Sequence, residues 1–206
     1  MRSCWKFIIC EQKFLGEMLM MANSEHFALG FLKGMLDGDG SIYAKCKSVY
    51  LDFELKSINL TNILEEYVAS LNLKPHRYLR HRERRWIRPN KTYHFFTTMQ
   101  RIQVRLSSDF YGKLLLVPLN KEQEKGYVSG LFQAEGSHWK IKHGKQKCEG
   151  LRIYNTNTAL LTRISTICQE YGISFKLREY KGITPYLDIQ NRFINSFVQI
   201  FGEKIR

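Results

Sequence analysis

Residues 27–41 and 123–137 carry one pattern twice. Phe27-Ala-Leu-Gly-Phe-Leu-Lys-Gly-Met-Leu-Asp-Gly-Asp-Gly-Ser41 stands over Gln123-Glu-Lys-Gly-Tyr-Val-Ser-Gly-Leu-Phe-Gln-Ala-Glu-Gly-Ser137. At a constant offset of 96, Gly30 meets Gly126, Gly34 meets Gly130, Gly38 meets Ala134, Asp39 meets Glu135 and Gly40 meets Gly136. The match resumes at offset 100, with Leu51, Leu60, Leu64 and Leu73 over Leu151, Leu160, Ile164 and Ile173. It resumes again at offset 83, with Val104, Leu106, Phe110 and Leu114 over Leu187, Ile189, Phe193 and Phe197. Three blocks in order point to a duplicated unit, and the falling offset marks a longer, more basic hairpin in the first copy. The organisation expected is an extension at 1–24, a first repeat at 25–117, a linker at 118–122 opened by Pro118, and a second repeat at 123–206.

Each copy has the same periodicities. A helix is expected over about 26–38 and 122–134, ending at Gly40 or Gly136. Period-two segments follow, in which Leu51, Phe53 and Leu55 alternate with Tyr50, Asp52, Glu54 and Lys56, and Ile42, Ala44 and Cys46 with Tyr43, Lys45 and Lys47. Leu60, Ile63, Leu64, Tyr67, Val68 and Leu71 make a helical stripe. Further strands place Leu79, Val104 and Leu106 inward, with Tyr78, Arg80, Arg82, Arg84, Gln103 and Arg105 outward. In the second copy Trp139 and Ile141 are read as inward against Lys140 and Lys142, Ile153 against Arg152 and Tyr154, and Leu177 against Lys176 and Arg178. The unit is helix, two strands, helix, two strands, helix: an α/β chain of the α+β kind. One sheet face takes the helices, and the other is polar, basic and aromatic.

Glycines every fourth residue in both motif helices need a reason, because a helical glycine costs about 1 kcal/mol relative to alanine. A ridge of small residues lets two helix backbones approach closely. Packing the motif helices on each other brings their C-terminal ends together, and there each copy places an acid, Asp39 and Glu135. Each alone is an ordinary helix-terminal acid. Together, at the negative ends of two helix dipoles, they repel unless a cation intervenes. Magnesium suits such a place, held by one or two carboxylates with water and phosphate oxygens completing its shell, and Mn2+ is expected to substitute. A calcium loop starting at Asp37 is excluded, because its sixth and twelfth positions are Ile42 and Ser48 instead of Gly and Glu. A phosphate-binding loop is excluded because no Lys-Ser/Thr pair follows the glycines.

Charge supplies the partner. The chain has 32 Lys+Arg against 19 Asp+Glu, a formal net charge of +13. Between Lys74 and Arg101 lie nine Lys/Arg and the single acid Glu83, interleaved with Tyr78, Trp86, Tyr93, Phe95 and Phe96. A basic, aromatic surface of this kind fits a polyanion, and a duplex groove above all. The five scattered cysteines include no Cys-x-x-Cys, which removes a zinc knuckle or disulfide framework and favours a reducing compartment. No apolar run approaches the ~20 residues of a membrane span, so an intracellular chain with no membrane partner is expected.

Leu32-Lys-Gly-Met-Leu-Asp-Gly-Asp-Gly40 and Val128-Ser-Gly-Leu-Phe-Gln-Ala-Glu-Gly136 resemble the two signatures of a LAGLIDADG homing endonuclease, and the repeat architecture carries the resemblance over nearly the whole chain from about Glu25. It implies a monomer with internal pseudo-two-fold symmetry and a saddle of two four-stranded antiparallel sheets, with the motif helices at its centre. It further implies magnesium-dependent cutting of both strands of double-stranded DNA at a long, roughly palindromic site, leaving staggered ends. Metal binding carries over to Asp39 and Glu135, helped by the carbonyls of Gly38 and Ala134. A basic helper falls to Lys56 in the first copy and to Lys140 or Lys142 in the second, with a phosphate contact as the alternative. Leu55 stands where such proteins often have glutamine, and Thr156 lies opposite Lys56.

DNA contacts are expected from Tyr43, Lys45, Lys47, Tyr50, Tyr78, Arg80, Arg82, Arg84, Arg101, Gln103 and Arg105 in the first copy. The second copy contributes Lys140, Lys142, Arg152, Tyr154, Lys176, Arg178, Tyr186, Asp188 and Gln190. Lys33 and Ser129 stand where the signature has alanine and are expected on an exposed helix side. Gln133 replaces the sixth-position acid, with little consequence expected. Competing functions are an intron-encoded endonuclease, a maturase whose partner is intron RNA, and a non-catalytic DNA-binding regulator.

Overall fold

A computed structural model describes residues 25–46, 48–88, 91–115, 119–143 and 146–205. The expected extension at 1–24 therefore lies outside the described residues, as do Lys47, Val117, Pro118 and Arg206, and the side chains of Arg84 and Lys142. In the first copy, α1 (Glu25–Gly38) leads into β1 (Gly40–Lys45), β2 (Ser48–Leu55), α2 (Ile58–Ser70), β3 (Pro75–Arg88), β4 (Lys91–Leu106) and α3 (Ser108–Leu115). In the second, α4 (Lys121–Glu135) leads into β5 (Gly136–His143), β6 (Gln146–Tyr154), α5 (Thr158–Glu170), β7 (Phe175–Tyr180), β8 (Ile183–Ile189), a 3-10 turn (Asn191–Phe193) and α6 (Ile194–Phe201). The two sheets are antiparallel, with strand orders β1-β2-β4-β3 and β5-β6-β8-β7. The expected four-stranded pair of αββαββα units is therefore what forms. Helix α4 is opened by a capping box between Asn120 and Gln123, so Lys121 and Glu122 of the expected linker already lie in its first turn.

Each sheet buries one face under its own helices. In the first copy Leu51, Phe53, Leu55, Ile102 and Val104 join Leu60, Ile63, Leu64, Tyr67 and Val68 of α2 in one core, against Phe27, Phe31 and Met35 of α1. In the second, Leu151, Ile153, Leu187 and Ile189 join Leu161, Ile164 and Ile167 of α5, Phe197 and Phe201 of α6, and Leu131 and Phe132 of α4. Ser57 caps α2, its hydroxyl accepting the Leu60 N–H at 3.2 Å, and Asn157 caps α5 in the same way through Leu160 N–H at 3.3 Å.

Strand register corrects several expectations. Leu51 pairs with Val104 and Leu151 with Ile189, so the equivalent strands β4 and β8 are related by an offset of 85 residues, two more than the offset of 83 read from sequence. A shift of two preserves the face, which is why the inward residues were still identified. Leu79 lies on the helix-side face yet is 56% exposed. The helical cover ends one step earlier, where Arg77 donates to Asn62 and Glu65 of α2, and the long β3–β4 hairpin runs on past it. Leu177 is likewise on the inward face but 43% exposed.

The reading of β5 is reversed. Gly136 pairs with buried Ile153 and His138 with buried Leu151, so Lys140 shares their face, whereas Trp139 and Ile141 share the open face with Arg152. Trp139 lies opposite Gly150, whose bare backbone leaves room for the indole: a Cβ there would sit 2.6 Å from the ring. Lys33 and Ser129 are also corrected, being 7% and 0% exposed. The central turns of both motif helices are buried, and Lys33 survives burial with its ammonium 3.6 Å from Asp37.

Candidate functional site

The two motif helices meet backbone to backbone. A Cβ on Gly34 would lie 2.7 Å from Leu131 N, one on Gly126 2.8 Å from Phe31 N, and one on Gly130 2.9 Å from the Phe31 carbonyl carbon. These are main-chain atoms, which cannot step aside as a flexible side chain can. The glycine ridge expected from sequence is therefore the contact surface, and it sets two parallel helices with their C-terminal ends side by side. Tyr127 of α4 adds a tie by donating its hydroxyl to Asp37 of α1 at 2.8 Å. The glycine after each acid also serves close approach: a Cβ at Gly40 would lie 2.7 Å from the Phe53 ring, and one at Gly136 2.5 Å from Cε2 of the Phe132 ring.

Asp39 and Glu135 stand at these two ends. Partial desolvation raises the Asp39 carboxyl from its ordinary value, and the charge of Lys204 offsets part of that. Burial raises Glu135 likewise, the negative charge of Asp39 adds to it, and Lys204 opposes both. The two acids thus share one field, as the paired-helix argument required. Asn155 donates its amide to Glu135 at 3.4 Å. Sequence reasoning passed over Asn155, although offset 100 places it on Leu55, the position examined for a helper amide.

Lys204 is the larger omission. Its ammonium donates to the last carbonyls of α4: Phe132 at 3.1 Å, Ala134 at 3.3 Å and, closest, Gln133. Burial pulls its pKa down to about 8, against the pull of Asp39 and Glu135 in the other direction. Gln133 holds the segment in place by donating to the Glu203 carbonyl and accepting the Ile205 N–H at 2.8 Å. The sixth motif position thus carries a structural tie in each copy, Asp37 to Tyr127 and Gln133 to residues 203–205. No short motif could reveal a lysine some 70 residues away in sequence.

The expected helpers separate. Lys56 is exposed at the end of β2 and has no ion pair among the described residues. Lys140 lies on the sheet face opposite Arg152, pairing with Glu149 at 3.3 Å. No group of three or more His, Cys, Asp or Glu able to hold a metal occurs among the described residues, so the oxygens of Asp39, Glu135 and the neighbouring helix-end carbonyls are the donors on offer. That all-oxygen set fits a hard divalent ion with water and phosphate completing its shell.

Lys140 apart, the expected polar residues that the structure describes lie on the two open sheet faces, many of them locked by cross-strand partners. In the first copy Tyr43 stacks on Tyr50 at 5.5 Å and accepts a hydrogen bond from Gln103, Arg101 grips Asp52 beneath the Tyr78 ring, and Arg80 and Arg82 converge on Glu54. Lys45 and Arg105 lie on the same face, opposite Ser48 and Tyr50. In the second copy the Arg152 guanidinium sits 4.8 Å from the Trp139 ring and 4.9 Å from that of Tyr186, anchored to Asp188 at 3.2 Å. Tyr154 packs on Tyr186 at 5.1 Å, Lys176 and Arg178 lie across from Asp188 and Tyr186, and Gln190 follows the end of β8.

Two parallel glycine-ridged helices, each followed by an acid and a four-stranded antiparallel sheet, define the LAGLIDADG architecture. Residues 122–205 match the family of LAGLIDADG-like domains. Solved structures extend the likeness to both repeats. Mesophilic variants from the homing endonuclease I-DmoI align at 20% identity over 88% of this chain and 99% of that one, with a TM-score of 0.58. I-DmoI in complex with DNA and Mn aligns at 21% identity over 88% and 99%, again at 0.58. The N-terminal LAGLIDADG domain of DUF199/WhiA aligns at 17% identity over 89% and 84%, at 0.59. No curated protein matches the chain by sequence. The chain shares the fold of these LAGLIDADG structures, and by sequence residues 122–205 match the LAGLIDADG-like domain family. No helix among the described residues is long and apolar enough to cross a membrane.

Proposed function

We propose that the chain is a site-specific, metal-dependent DNA endonuclease that cuts both strands of a long, roughly palindromic duplex, with residues 25–117 and 123–206 each reading one half. The observation that carries this reading is the acid pair: Asp39 and Glu135 share one field at the joined ends of two helices, between two basic, aromatic sheet faces. Mg2+, or Mn2+ in its place, would be held by the oxygens of Asp39 and Glu135 with the carbonyls of Gly38 and Ala134, and would supply polarisation of a phosphate oxygen and a more acidic water. The glycine ridge fixes the spacing of the two acids. Asn155 orients the Glu135 carboxylate, and Arg152, Arg101 and their ring partners position the duplex. Two related but unequal faces suit a site of two similar halves.

A second reading, a DNA-binding regulator without catalysis, is favoured by Lys204, which already supplies a cation to the acid pair. Incubating the full chain with a library of duplexes of randomised sequence, in Mg2+ or in EDTA, separates the two. Recovered staggered ends of defined sequence in Mg2+ alone support the endonuclease. Enrichment of bound but uncut duplexes supports the regulator.

A further inference from the structure

Lys204 enters the site from outside both motifs. The segment after α6 crosses the ends of the motif helices: Gln133 bonds to it on either side of Lys204, and Ile205 packs against the core of the first repeat. Between those two anchors the ammonium is aimed at the carbonyls of Phe132, Gln133 and Ala134, beside both carboxylates. The end of α1 has no matching cation: among the described residues no lysine or arginine donates to its last carbonyls.

We infer that Lys204 is a built-in counter-cation of the acid pair which competes with a divalent ion for the Glu135 side of the site, and that Gln133 is the positioning residue that holds it there. The inference rests on the metal-binding reading above. Two physical arguments carry it. An ammonium donating to the Ala134 carbonyl draws on an oxygen that a divalent ion would also use, so each weakens the hold of the other. A fixed positive charge beside two carboxylates also repels any second cation brought to them, and the barrier is highest on the side where the ammonium sits. The two halves of the centre are then unequal, with the Asp39 side filling first and the Glu135 side holding an ion more weakly while Lys204 is in place.

Lysine at a helix C-terminus is also a plain capping device, stabilising through the last carbonyls and the dipole. The experiment must therefore read metal binding and not only stability. Mn2+ is titrated calorimetrically into the full chain without DNA, and the melting temperature is followed with and without Mn2+. Lys204→Met should bind Mn2+ about tenfold more tightly than the parent chain, because one opposing charge and one competitor for an oxygen are gone. Its melting temperature should fall in chelator and recover more than the parent's when Mn2+ is added. Lys204→Arg keeps the charge and should keep the parent affinity within about threefold. Gln133→Ala leaves the lysine in the chain but frees its segment, and should tighten Mn2+ binding about threefold. This second variant decides the matter should Lys204→Met fail to fold. Equal Mn2+ affinity in parent, Lys204→Met and Gln133→Ala, with a melting temperature lowered equally in both conditions, would show a cap and overturn the inference. Failure of the parent and every variant to take Mn2+ would instead overturn the metal-binding reading, and the inference with it.

Discussion

Gly130 of α4 lies against the main chain of Phe31 on α1, so closely that a Cβ on Gly130 would stand 2.9 Å from the Phe31 carbonyl carbon and 3.0 Å from Met35 N. The atoms it would meet belong to a helix backbone packed on the far side by Tyr67 and the first core, so they have nowhere to go. The spacing of Asp39 and Glu135 at the helix ends depends on this contact.

Gly130→Ala is the direct test. On an open helix face alanine would stabilise the chain by about 1 kcal/mol. At this contact the added methyl overfills a closed space, at a cost of about 1–3 kcal/mol. The melting temperature should therefore fall. Spreading of the helices would also separate Asp39 from Glu135, and a displacement of about 1 Å can lower a rate on the order of 100-fold. A raised melting temperature with unchanged cutting would refute the helix-pairing account of the acid site.

Asp39→Asn and Glu135→Gln remove ligand charge while keeping shape. Each should abolish double-strand cutting, read as linearisation of a plasmid carrying the selected site, and each should leave duplex binding in a gel-shift assay intact or somewhat tighter. Normal cutting by either variant would place the metal elsewhere.

The paired helices, the acids and the unit order were legible because each rests on spacing along one segment. Glycine every fourth residue marks a helix contact, and alternation marks a strand, whatever the tertiary context. What was misread needed knowledge from across the sheet. On hydrophobicity Trp139 and Ile141 belong inside and Lys140 outside, yet β5 is held the other way by Gly136 opposite Ile153. The repeat itself carried the correct answer, because offset 96 puts Trp139 on the outward Tyr43. Sequence also could not show that a lysine on no motif, Lys204, lies at the acid pair, since the tie runs through the backbone around it.

Metal-free stability should depend on pH through this centre. Asp39 and Glu135 have raised pKa values in the folded chain, so their contribution is greatest when both are protonated and is lost as pH climbs through the folded values. Lys204 has the opposite sense. Its folded pKa of about 8 lies below the ordinary lysine value of 10.5, so the unfolded chain binds more protons between the two and stability recovers as pH rises through that window. In EDTA the three groups together should lower the melting temperature between the carboxylate range and about pH 8. Asp39→Asn should flatten the acid side of that profile. An identical profile in parent and variant, measured by calorimetry from about pH 3 to 10, would contradict the shared field.

The reversed face of β5 separates two sets of residues that hydrophobicity alone would exchange. Arg152 is held between Trp139 and Tyr186 and tied to Asp188, so its guanidinium is fixed on the open face, while Lys140 is turned to the opposite face and neutralised by Glu149. If the open faces contact about six to ten phosphates, affinity for duplex should fall roughly 10³–10⁵-fold between 50 and 200 mM salt. Lys140→Ala should leave both the affinity and that slope unchanged. Trp139→Ala removes a support from Arg152 and should weaken binding. Arg152→Ala should lower affinity alone if the guanidinium touches phosphate, and also relax discrimination at one position by about 1–3 kcal/mol if it reaches a base edge. Fluorescence anisotropy against salt, followed by competition with single-base-pair variants of the site, reads all three. A slope that falls by about one unit in Lys140→Ala but stays fixed in Arg152→Ala would reverse the face assignment, since each lost phosphate contact lowers the slope by about that much.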